Sequence, residues 1–172
     1  NDPTSAGIAR ADAALAEVRY APCWVVLLKL VAEVEPSEVQ LSPGDGVIER
    51  AVRESSKPGR ASGHWVLHAT AGWSRKELEC TPDEVAPRLV EAFLRASGLD
   101  ARHVLSAVAH RWRFAIPETG TALAAIPELR LFLAGDAIGW SVDAGTLPPA
   151  ECAWRSGKAA AEAVLAGNQP KS

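Results

Sequence analysis

The chain has no methionine and only three cysteines in 172 residues. Without methionine the sequence excludes its own start codon, so trimming, processing or a start inside a longer protein is expected. Cys23, Cys80 and Cys152 are far apart and odd in number, which excludes a disulfide framework and the paired spacings of a zinc site. Free, packed thiols suit a reducing compartment, so a cytoplasmic protein is expected. No hydrophobic run is long enough to span a bilayer: the oiliest stretch, "CWVVLLKLVAEV", is short and broken by Lys29. The first residues, "NDPTSAGIARADAALAEVRY", contain no apolar core of a signal peptide. Net charge is −3 with no cluster of Lys and Arg, which argues against nucleic acid as a partner. There is no GxGxxG after a strand, no GxxxxGK[ST] and no GxSxG, so a complete nucleotide-binding unit and a nucleophile elbow are both excluded. No internal repeat or low-complexity tract occurs.

What remains is a chain of ordinary globular composition, 48% hydrophobic and 23% charged, long enough for a substantial core. Residues 5–19 carry Ile8, Ala11, Leu15 and Val18 at spacings of three and four, which predicts an amphipathic helix. Strands are predicted at 20–31, 47–54, 64–71 and 103–117, separated by breaker-rich loops such as "EPSEVQLSPGDG" and "SSKPGRASG". Ser74-Arg75-Lys76-Glu77 fits a capping box, and Thr81-Pro82-Asp83-Glu84 fits one better, with proline at the first helical position. From there Val85, Leu89, Ala92, Phe93 and Ala96 share a face until Gly98 stops the helix. "LRLFLAGD" predicts a last, deeply buried strand, and 150–167 a last helix closed by Gly167. The short loops imply antiparallel pairing. The expected class is α+β, a mixed and mainly antiparallel sheet with helices packed on one face.

Few residues stand out chemically. His64 and His68 have HxxxH spacing, but Trp65, Val66 and Thr70 favour a strand, where the two lie roughly 13 Å apart and cannot share a metal; no metal site is expected. In "AHRWRFAIP" the alternation puts Arg111 and Arg113 on one face and Trp112 and Phe114 on the other. The simplest expectation is arginines in water and rings in the core; the functional one is a cationic and aromatic wall beside a ligand. Lys57 sits on a loop, where a solvated charge is the ordinary role. Gly135-Asp136 places a carboxylate at a strand's carboxyl end, shortly before a helix containing Ser156-Gly157. A helix N-terminus attracts anions and polar ligand edges. Gly157 costs that helix about 1 kcal/mol relative to alanine, a cost that usually permits close backbone packing.

In sequence order, "YAPCWVVLLKL", "SSKPGR", "HWVLHATAGWS", "DEVAPRLVEAFL", "AHRWRFAIP", "LFLAGDAIG" and "ECAWRSGKAAAEAVL" resemble the C-terminal half of the renalase-like flavin-containing amine oxidases, which are FAD-dependent. The resemblance covers nearly the whole chain and rests on order and spacing more than on any one motif. It implies a substrate-domain-like region over 1–128 and a C-terminal FAD-contacting strand and helix over 129–172. By position, Asp136 would meet the ribityl or pyrophosphate region of FAD, Gly135 would allow close approach, and Glu151, Ser156 and Gly157 would lie by the flavin. Lys57 would be a flavin-proximal catalytic group, and Arg111 and Trp112 would wall the substrate cavity.

The chemistry implied is hydride transfer from a C–H next to nitrogen to the flavin, with O₂ reoxidising it, on a small amine or reduced dinucleotide. The N-terminal dinucleotide-binding unit is an implied partner, so the chain alone is expected to be inactive, and a homodimer through uncovered apolar surface is plausible. No membrane partner is expected. The chain departs from the family pattern in "WSVDAGTLPPAECAW", a longer link with two prolines and with Cys152 where glycine is expected. This departure favours the alternative, a non-catalytic, free-standing α+β binding or assembly module.

Overall fold

The structure is a computed structural model that describes residues 2–31, 36–139 and 148–167. It is α+β and divides into two compact units: Asn1–Tyr20 with Ile116–Ser172, and Ala21–Ala115. Residues 129–172 therefore share a unit with both 1–20 and 116–128.

The second unit holds all but the ends of a mainly antiparallel five-stranded sheet. Its strands are β1 (Arg19–Leu30), β2 (Gln40–Leu41), β3 (Ile48–Arg53), β4 (His64–Ala69) and β5 (Val104–Thr119), in the order β2-β3-β4-β1-β5. Period-two alternation sends Trp24, Val26, Leu28 and Leu30 of β1 to one face. There they meet Trp65, Leu67 and Ala69 of β4 and the apolar stripe of a helix, α3 (Pro82–Ser97). That stripe is Val85, Leu89, Ala92 and Phe93, all 0–1% exposed. The start of α3 follows from local chemistry. The Thr81 hydroxyl accepts from the Glu84 N–H, the Glu84 carboxylate accepts from the Thr81 N–H at 2.8 Å, and Pro82 leads the first turn. Its end follows from Gly98, which takes the left-handed conformation at φ 71°.

A shorter helix, α2 (Ala71–Lys76), precedes it and corrects the expected capping box at Ser74. The helix starts earlier, capped by the Thr70 hydroxyl, which accepts from the Trp73 N–H. Ser74 is fully buried, and its hydroxyl accepts from the Trp24 N–H of β1 at 3.1 Å. A hydroxyl that reads as a cap is spent on an otherwise orphaned strand donor. On the opposite face of the sheet the odd positions of β1 carry Leu27, 57% exposed, and Lys29. His64 and His68 lie on β4 across from Lys29 and Val25.

In the first unit α1 (Pro3–Ala16) is capped by Asp2, which accepts from the Thr4 and Ser5 amides. Its buried positions are Gly7 and Ala11, not the expected Ile8 and Leu15, which stay 50% and 42% exposed. The reason is close approach. A Cβ on Gly7 would sit 3.1 Å from the Leu129 side chain and 3.2 Å from that of Ile126, so the helix backbone rests on a 3-10 turn, Pro127–Leu129, between two short strands. These are β6 (Ala125–Ile126) and β7 (Leu131–Phe132), paired antiparallel. The expected long, deeply buried strand over "LRLFLAGD" thus shrinks to two residues, with Leu131 39% exposed. Arg130 at φ 51° ends the 3-10 turn and starts β7 afresh, which breaks the apolar run in two. The last helix, α4, covers Pro149–Gly167. No helix among the described residues is long and apolar enough to cross a membrane.

Candidate functional site

After β7 the chain makes a tight turn at Gly135-Asp136. Gly135 sits at φ 154°, a conformation that favours glycine. Its N–H donates to the Ser156 hydroxyl of α4 at 3.0 Å, and its carbonyl accepts from the same hydroxyl at 2.8 Å. Ser156 is 8% exposed. One buried hydroxyl therefore bolts the turn to the helix. Ser156→Ala leaves the Gly135 N–H without its partner, and urea unfolding should show a loss of about 1–3 kcal/mol.

Asp136, next in the chain, is half-buried, and its Oδ1 accepts from the Tyr20 hydroxyl at 2.6 Å. Hydrogen bonding to that carboxylate, then burial, then the carboxylate's charge push the Tyr20 phenol up to about 12. Beyond the turn a groove of about 220 Å³ runs between Ile138 and Gly139 on one side and Cys152, Arg155 and Ser156 of α4 on the other. Glu151, in the first turn of α4, is paired with Arg155 at 2.6 Å. Gly157 has no heavy atom within 4 Å of where a Cβ would lie, so the close packing expected of it has no partner among the described residues. Around it α4 shows an apolar outer face: Trp154 is 62% exposed, Val164 41% and Leu165 69%, with Ala161 also exposed. Residues 140–147, which hold most of the unusual link, lie outside the described residues.

The remaining predicted residues belong to the second unit. Lys57 follows a 3-10 turn, Glu54–Ser56, and is ion-paired with Glu54. On β5 the simple expectation of rings in the core is reversed. Trp112 is 54% exposed and Phe114 78%, with the His110 imidazole edge-on to Trp112 at 4.8 Å. Arg111 is the inward residue: it donates to the Leu78 carbonyl, and its guanidinium lies 5.6 Å from the Trp24 ring centroid. Arg113 makes two 2.9 Å hydrogen bonds to Glu79. The cause is the segment after α2, which brings a carbonyl and a carboxylate to the arginine side of the strand.

The structure thus brings together Gly135 with Ser156, and Asp136 with a residue the sequence did not flag, Tyr20. It adds a second feature that sequence reasoning missed. A cavity of about 480 Å³ lies in the second unit, lined by Leu27, Lys29, Arg60, His64, Val66 and Val108 among others. Its cross-strand members, Leu27 with Val66 and Lys29 with His64, meet only once the β1–β4 register is fixed. On the same sheet, burial and then the Arg50 charge push the His68 imidazole below its ordinary range, which keeps it neutral at pH 7.

No protein-family model matches the chain.

Proposed function

We propose that the chain supplies the substrate domain and the C-terminal cofactor-contacting segment of a flavin-dependent oxidoreductase of the renalase-like amine oxidase type, acting in the cytoplasm. The observation that carries the proposal is the Gly135-Asp136 turn bolted to α4 by Ser156, which presents a carboxylate at its tip. The residues fit a polyol such as the ribityl chain of FAD. A carboxylate offers about four acceptor sites, and Tyr20 uses one oxygen of Asp136. Ser156 spends its hydroxyl inside the turn, so in this reading it positions Asp136 and does not itself touch the cofactor. The apolar outer face of α4, from Trp154 past Gly157 to Leu165, is the kind of surface that another stretch of polypeptide covers.

Bound flavin supplies a hydride acceptor for a substrate C–H next to nitrogen, and the protein supplies placement and electrostatics. The exposed Trp112 takes the cavity-wall role in this reading, and Lys57, held by Glu54, the flavin-proximal one. Arg111 is engaged on the helix-covered side and acts as a brace. One observation favours a second reading, a non-catalytic α+β module: at 2.6 Å the Tyr20 hydroxyl already satisfies Asp136 internally. The coding sequence upstream of Asn1 separates the two. A strand–GxGxxG–helix unit there is the expected result; a start codon immediately before Asn1 would make the module the correct reading.

A further inference from the structure

We propose that the open face of the five-stranded sheet binds an amphipathic anion, a carboxylate or phosphate carried on a small apolar body. The cavity there, about 480 Å³, falls in the size range of small-molecule sites. All its lining residues belong to the second unit, and it opens to solvent on the sheet face opposite α2 and α3.

Its floor is apolar. Leu27 and Val66 are cross-strand partners, and Val108 of β5 adjoins them; Leu27 is 57% exposed and Val108 62%. Two branched side chains left in water beside the half-buried Val66 are a cost unless something apolar covers them. Its rim is cationic. Lys29 and His64 face each other across β1 and β4, and Arg60 comes from the loop above. Neither Lys29 nor Arg60 makes an ion pair among the described residues. The one acid in the lining, Glu54, is already neutralised by Lys57. The His64 Nδ1 lies 3.0 Å from the Ser62 carbonyl. A carbonyl can only accept, so the Nδ1–H is spent on it, and Lys29 and Arg60 are the groups that meet the anion. Apolar floor and cationic rim together select a molecule with a hydrocarbon or aromatic body and one anionic end; a free inorganic anion would leave the floor uncovered, and a neutral oil would leave the rim unused. Each half is ordinary surface when alone. Their convergence on one concavity is what a ligand would use.

The proposal does not rest on the flavin reading, and its test needs no flavin. The full chain is titrated with four probes of one aromatic body: naphthylacetate, naphthyl phosphate, naphthylethanol and naphthylethylamine. Binding is followed by NMR at the methyl groups of Leu27, Val66 and Val108. At least one of the two anions should shift these methyls saturably, and which one identifies carboxylate or phosphate as the head group. Naphthylethanol should bind at least about tenfold more weakly, and Lys29→Gln or Arg60→Gln should each weaken the anion about tenfold. Both side chains are exposed, and circular dichroism checks that the variants stay folded. The proposal is overturned if the alcohol binds as tightly as the anions, if the amine binds more tightly, if neither variant changes anion affinity, or if no probe moves these methyls.

Discussion

Phe93→Ala should cost about 3–5 kcal/mol in guanidinium or urea unfolding, among the largest effects expected of a single substitution in the helix–sheet core. Phe93 is 0% exposed and packs its ring 5.2 Å from that of Trp65, centroid to centroid, so α3 and β4 meet through this pair. Truncation removes the apolar area and leaves a cavity that the neighbouring Leu89 and Leu67 cannot fill without moving the helix. A domain of this size has a total stability of about 5–15 kcal/mol, so a large share of it hangs on one side chain. The six tryptophans give a strong fluorescence signal for the transition. The control is Phe114→Ala, whose ring is 78% exposed; it should stay within about 0.5 kcal/mol. A loss below about 1 kcal/mol for Phe93→Ala would mean that α3 does not cover the sheet as described.

The second large effect is spectroscopic. Tyr20 is the only tyrosine, so the rise of tyrosinate absorbance with pH reports one group. Its phenol should titrate near 12 instead of 10, because ionisation breaks the hydrogen bond to Asp136 and sets two negative charges side by side. Asp136→Asn removes the charge and the charge-assisted bond and should bring the midpoint back toward 10. The sign for stability follows from linkage. A phenol whose folded value lies above its unfolded one stabilises the fold fully below pH 10, and that contribution is lost between about 10 and 12. The wild-type chain should therefore lose stability over this window, and Asp136→Asn should not show the same loss there. A wild-type midpoint at 10 would show that the two side chains are not joined in solution.

These two tests also mark what could be read along the chain and what could not. The Thr81-Pro82-Asp83-Glu84 start and the Gly98 stop of α3 are local: every partner lies within a few residues, so the pattern alone bounds the helix. The alternation of Trp24, Val26, Leu28 and Leu30 likewise follows from the pleat of β1. Readings that depended on distant partners went astray. Ser74 looks like a cap until β1 supplies the Trp24 N–H, 50 positions away. The rings of Trp112 and Phe114 look like core until Leu78 and Glu79 claim the arginines. Gly7 carries no amphipathic signal, because its role is to have no side chain where Leu129 arrives. The Gly-Asp turn was legible as a punctuated carboxylate. Its bolt, Ser156, was legible only as a neighbour of Gly157, and its partner Tyr20, 116 positions away, was not legible at all.

In the proposed function the carboxylate at position 136 serves a flavin. The direct measurement is flavin binding by the protein expressed from its whole gene, as wild type, Asp136→Ala, Ser156→Ala and Tyr20→Phe. Bound FAD is read from its shifted visible absorbance after gel filtration. The wild type should carry flavin, Asp136→Ala should lose at least about tenfold in affinity, Ser156→Ala should lose less, and Tyr20→Phe, which frees the carboxylate, should retain it. Wild type without flavin, or Asp136→Ala that holds it as tightly as wild type, would contradict a cofactor role for this carboxylate.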